Sequence, residues 1–188
     1  MTETETAPCK PRVRPLYDWE IEEARIVFAD RLRYESVRVH ECAAWPDVLD
    51  QFGRRLKGMS LPEEHTHNAI TIGNNCFFPV RLPETPAPPG QPTPSMGWLI
   101  HELTHAWQFQ QMGWAYLFRA LMAQLREGKN VYHFGGKEKL KERRKDGWTL
   151  RRFNLEQQGA ITQEYYDRRR AGEDVSEWIP FINDIHTS

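Results

Sequence analysis

Ser95-Met96-Gly97-Trp98-Leu99-Ile100-His101-Glu102-Leu103-Thr104-His105-Ala106-Trp107-Gln108-Phe109-Gln110-Gln111-Met112 is the stretch on which the reading of this chain turns. It reads as one helix, entered from a proline-rich loop and stopped near Gly113. Trp98, Leu99, Ile100, Leu103, Ala106 and Trp107 make it apolar almost all round, the pattern of a buried helix. Two histidines inside a buried helix need partners, because an unpaired polar group in a core is costly. His101 and His105 stand four apart, so both imidazoles project from one helix face and reach a common point. A metal ion is the natural occupant of that point. Glu102 follows the first histidine and projects beside the ion, where a carboxylate acts as general base toward an attacking water. Zinc suits the set, since it takes imidazole nitrogen in tetrahedral geometry and activates bound water near neutral pH.

A catalytic zinc site takes a third protein ligand and keeps one open position. Downstream candidates are His133, Glu156, Glu164 and His186. Glu156 fits best. It stands near the start of a long helix expected from Asn154 to about Gly172, with Asn154 and Gln157 forming a capping box. Gly159 and Ala160 follow three and four residues later on the same face. Small residues there predict close approach of this helix to the one bearing the histidines.

Working outward, Pro83, Pro86, Pro88, Pro89, Pro92 and Pro94 exclude helix and central strand and predict a surface loop over 81–95. Before it, Ala69-Ile70-Thr71-Ile72 and Cys76-Phe77-Phe78 flank Gly73-Asn74-Asn75, a hairpin pattern. Ser36 to His40 alternates as a short strand, and helices are expected from Asp18, over Trp45–Leu56, and from Trp114 to Gly128. Residues 1–17 read as a flexible N-terminal tail, and 18–188 as a single domain. The segment 137–152 carries eight basic and three acidic residues, interspersed as on a solvated helix face. Trp178, Ile179, Phe181, Ile182 and Ile185 predict a terminal amphipathic segment packed on the core. His65 and His67 read as part of a polar loop rather than a second metal site. The fold class expected is therefore α+β, mainly helical, with a small antiparallel sheet.

Bulk properties narrow the function classes. With 25 Lys+Arg against 26 Asp+Glu among 188 residues, the chain has no electrostatic footprint for nucleic acid. No apolar run is long enough for a membrane span. Cys9, Cys42 and Cys76, odd in number and widely spaced, are expected to be unpaired and to indicate a reducing compartment. The N-terminus lacks the basic-then-apolar pattern of a signal peptide, so cytoplasmic synthesis is expected, with any export by a route independent of one.

The run His101-Glu102-Leu103-Thr104-His105-Ala106-Trp107-Gln108, followed by Asn154-Leu155-Glu156-Gln157-Gln158, resembles the small zincin-like metallopeptidases. More narrowly, it is similar to gluzincin-type domains described as Vgr-related, found beside Rhs and contractile-injection genes in bacteria. The resemblance spans roughly 60–170 and includes the hairpin. It implies Zn2+ as cofactor, His101, His105 and Glu156 as ligands, and Glu102 as base. It further implies a polypeptide substrate, with components of a contractile injection system as partners. The function expected is peptide-bond hydrolysis by a secretion- or injection-associated effector or processing enzyme. A catalytically silent zinc-binding zincin, serving as an adaptor in such an assembly, is the alternative. In better-known gluzincins an acid three or four residues past the ligand glutamate supports the histidines; here those positions hold Gly159 and Ala160. The oxyanion formed during hydrolysis needs a donor, for which Tyr132, His133, Tyr165 and Tyr166 are candidates. Either hairpin strand, 69–73 or 76–80, offers an edge for an extended substrate.

Overall fold

The structure, a computed structural model, describes residues 9–43, 69–88, 91, 93–113 and 132–187. The expected helices over Trp45–Leu56 and Trp114–Gly128, and the pair His65 and His67, lie outside these residues. Among the described residues the chain is α+β, with five α-helices and a four-stranded mixed sheet.

The strands are β1 (Arg12–Arg14), β2 (Arg38–Glu41), β3 (Ile70–Ile72) and β4 (Asn75–Phe77), in the order β1-β2-β4-β3. The hairpin forms as the sequence predicts, turning through Gly73 at φ 64, a conformation that favours glycine. The expectation of an antiparallel sheet needs correcting. The hairpin docks on β2 through its second strand, and β4 runs in the same direction as β2, so that pair is parallel. Among the described residues this places β3 at the sheet edge and β4 between two partners.

Because side chains alternate across a strand, the register aligns Arg14, Val39, Cys76 and Thr71 in one buried row across all four strands. The row begins on β1, within the segment expected to be a flexible tail. Residues 12–14 are instead an edge strand. Arg14 explains why they are held. Its guanidinium donates to both oxygens of Glu20 at 2.7 and 2.8 Å and to Glu41 Oε1 at 2.8 Å, in a buried cluster. Cys9, just before β1, is joined by a disulfide to Cys42, just after β2. The expectation of three unpaired cysteines is thus wrong for that pair, because strand pairing brings together residues far apart in sequence. Cys76 alone is free, and buried.

Helices cover the sheet. α1 (Asp18–Phe28) begins where expected, although Glu20 caps it by accepting from the Tyr17 N–H at 2.8 Å. α2 (Met96–Met112) matches the predicted helix within a residue and is followed by Gly113 at φ 61. α3 (Gly136–Lys145) is the basic helix, buried only at Leu140. α4 (Leu155–Arg170) opens at Asn154, whose side chain accepts from the Gln157 N–H at 2.8 Å, as the capping box predicts. α5 (Ile179–His186) buries Phe181, Ile182 and Ile185, as expected of the terminal segment. The proline loop is mostly exposed, with Leu82 and Thr93 buried as its anchors. Among the described residues, no helix is long and apolar enough to cross a membrane.

The pair that builds the site is α2 against α4. They run antiparallel at very close range, and small residues make this geometry feasible. Gly97 faces Asp167, Gly159 faces His101, and the hydroxyls of Thr104 and Thr162 meet at 2.7 Å.

Candidate metal centre

His101 and His105 project from the middle of α2, and Glu156 from the first turn of α4. Their ligand atoms all lie within 4.8 Å of one another. Both imidazole Nε2 atoms address the same oxygen, Glu156 Oε2, at 3.4 Å from His101 and 3.3 Å from His105. The rings stand edge to face, with centroids 4.9 Å apart and planes at 71°. All three residues are buried. This group offers two imidazoles and one carboxylate to a single metal ion.

The electrostatics of the group without metal follow from its burial. For His105, desolvation disfavours the charged ring, yet the Glu156 carboxylate overcomes it and pushes the imidazole up to about 9. Glu156 is itself held far below the usual carboxylate range: burial opposes ionisation, but the His105 charge and the two imidazole hydrogen bonds prevail. The His105 Nδ1 donates to Gln108 Oε1 at 2.9 Å. With acceptors on both ring nitrogens, the metal-free ring keeps both protons.

Glu102 lies on the sheet side of α2. Thr71 of edge strand β3 donates its hydroxyl to Glu102 Oε2 at 2.7 Å, pinning the carboxylate. Burial raises the Glu102 carboxyl above its ordinary value, opposed by the neighbouring His105 and His101 and by the Thr71 hydrogen bond. A carboxylate whose ordinary value is raised is a stronger proton acceptor than an exposed one.

The structure therefore brings together four of the sequence-derived residues, His101, Glu102, His105 and Glu156. Of the other ligand candidates, Glu164 pairs with Arg168 at 2.8 Å, and His186 Nε2 meets the Val27 carbonyl at 3.0 Å, so neither joins the cluster. His133 is exposed and stands outside the metal group, although its carbonyl accepts from Gln157 Nε2 at 3.0 Å. That contact ties the segment before α3 to the first turn of α4. Next to it, the Tyr132 ring lies 6.0 Å from the His101 ring, the best placed of the four oxyanion candidates. Tyr165 and Tyr166 need correcting as candidates. They stand more than two helical turns beyond Glu156, about 14 Å along the axis at 1.5 Å per residue. Tyr165 packs in the core, and Tyr166 donates its hydroxyl to Glu23 at 2.7 Å.

Three residues of the site are absent from the sequence reading. Gln108 was open to inference, because it follows His105 by three positions on the same helix face. Gln158 and Thr71 carry no local signal, since each meets its partner only through tertiary packing. Gln108 and Gln158 also form part of the wall of a cavity of about 590 Å³ behind His105, lined further by Trp107, Met112 and Phe153.

Comparison with known proteins adds no identity to this geometry. No family model, curated protein or solved structure matches the chain.

Proposed function

We propose that this protein is a zinc-dependent metallopeptidase with a minimal zincin-like arrangement. The observation that carries the reading is the convergence of His101 Nε2 and His105 Nε2 on one oxygen of Glu156, at 3.4 and 3.3 Å. Ligands about 2.0–2.1 Å from a tetrahedral zinc stand about 3.3–3.4 Å from each other, so these two edges already have the spacing that zinc requires. The donor chemistry agrees, since imidazole and carboxylate suit zinc better than the all-oxygen sets of calcium or magnesium.

Zinc held there would polarise a peptide carbonyl and lower the pKa of water to about 7. The chain supplies the proton handling. Thr71 occupies Glu102 Oε2 and leaves Oε1 to take the proton of the attacking water, which Glu102 then returns to the leaving amine nitrogen. Tyr132 is placed to donate to the oxyanion. Strand β3 is the hairpin strand suited to an extended substrate, because β4 is paired on both sides.

The test is zinc content followed by peptide hydrolysis with and without chelator, on the native chain and on Glu102→Gln. Retained zinc with abolished hydrolysis in the variant is the expected result. Equal hydrolysis by both proteins would sink the mechanism. A silent zinc-binding role has one observation in its favour, the burial of Glu102 behind the Thr71 hydroxyl. Zinc binding with no cleavage of any peptide by the native chain would favour it.

A further inference from the structure

Which group orients His105 is left open by the absence of an acid at positions 159 and 160. We propose that Gln108, locked in turn by Gln158, is the positioning residue for His105: it accepts the Nδ1 proton and so presents the Nε2 lone pair to the metal. This rests on the metal-binding reading above.

An amide side chain has two N–H donors and one carbonyl acceptor. Both Gln108 donors are taken, by the Leu155 carbonyl at 3.0 Å and by Gln158 Oε1 at 3.0 Å. Only its oxygen remains, and this oxygen lies 2.9 Å from His105 Nδ1. Turning the Gln108 amide over would set its oxygen against the Leu155 carbonyl and its NH2 against the Nδ1 proton. Gln158 is prevented from turning as well, because its nitrogen donates to the Phe153 carbonyl at 2.9 Å. Both glutamines are buried, where an acceptor facing an acceptor is costly. The chain Phe153 carbonyl–Gln158–Gln108–His105 therefore has one self-consistent polarity, and it ends in an Nδ1–H tautomer. With Nδ1 protonated, the neutral ring has its lone pair at Nε2, the atom that faces Glu156.

Two consequences follow. The orienting group is neutral, so His105 is aimed without a further negative charge beside the metal. The orientation also originates in the turn that opens α4, because Phe153 and Leu155 supply the fixed carbonyls. The helix that brings the Glu156 ligand thus also aims the His105 ligand.

Zinc affinity, measured by competition with a chelator, separates the outcomes across the native chain, Gln108→Leu, Gln158→Leu and the double variant. Removal of such an orienting partner costs about 10–100-fold in metal affinity. That loss is expected for Gln108→Leu, with a smaller loss for Gln158→Leu, which leaves Gln108 its bond to the Leu155 carbonyl. The double variant should bind no more weakly than Gln108→Leu, since Gln158 acts only through Gln108. Native affinity in Gln108→Leu, or losses that multiply in the double variant, would overturn the proposal. Nitrogen-15 NMR of the zinc-loaded native chain gives a check independent of variant folding: a slowly exchanging Nδ1–H is expected on His105, and a proton on Nε2 would refute it. A native chain that binds no zinc overturns the metal reading together with this inference, whereas native zinc binding with indifferent glutamine variants overturns this inference alone.

Discussion

Gly159 lies directly against the imidazole of His101: a Cβ at that position would stand 2.7 Å from His101 Cε1 and Nε2. The absence of a side chain on α4 therefore sets where the His101 ring stands on α2. Gly159→Ala should raise helix propensity by about 1 kcal/mol and yet force the ring away from Glu156. We expect zinc affinity to fall at least about tenfold, on the scale of misoriented ligands. Chelator competition reads this directly. Unchanged affinity would mean that His101 moves aside without cost.

The metal-free site carries a pH signature. His105 is raised from 6.5 to about 9, so its contribution to stability is complete below pH 6.5 and is lost as pH rises through about 9. Glu156 is lowered from 4.5, so its contribution is complete above that value and is lost as the solution becomes strongly acidic. Together they help most between about pH 4.5 and 6.5. Zinc bound at Nε2 would displace the proton there, so binding at pH 8 should release close to one proton per ion. Calorimetric titration in two buffers of different ionisation enthalpy measures that number. A value near zero would contradict the paired state of His105.

Thr71→Val keeps the volume of the side chain and removes the hydroxyl that pins Glu102. Hydrogen bonds to charged groups are worth about 1.5–3 kcal/mol, so kcat should fall about 10–100-fold. Zinc content should stay as it is, and KM should change little. A loss confined to KM would assign Thr71 to substrate binding rather than to positioning the base.

At the opposite end of the same buried row, Arg14→Ala leaves Glu20 and Glu41 buried without their shared cation. Removal of one partner from a buried ion pair costs about 3–5 kcal/mol. Urea denaturation should show a loss of that size, with zinc affinity of the folded protein unaltered. A loss below about 1 kcal/mol would place these carboxylates within reach of water.

The chemistry of the site was legible in the sequence wherever it depends on helical spacing. His101, Glu102 and His105 follow from a period of 3.6 residues, the opening of α4 follows from Asn154 and Gln157, and the close approach of the two helices follows from Gly159. Tyr165 and Tyr166 shared the composition expected of an oxyanion donor, but helix length carries them away from Glu156. β1 was hidden because a short strand bounded by prolines has no apolar period. Its evidence is the pairing with β2, the Arg14 cluster and the Cys9–Cys42 disulfide, all of which join residues distant in sequence.

By itself, the sequence determined which residues share a face of α2: local spacing on a helix depends on nothing beyond the helix. Only the tertiary structure decided how those residues are held. The parallel docking of β4 on β2 sets β3 at the edge with Thr71 on Glu102. The packing of α4 on α2 brings Glu156 to both histidines and closes the Gln158–Gln108–His105 chain. The physical reason is that a hydrogen bond between buried groups has meaning only once both partners have left water, and folding alone selects which partners meet.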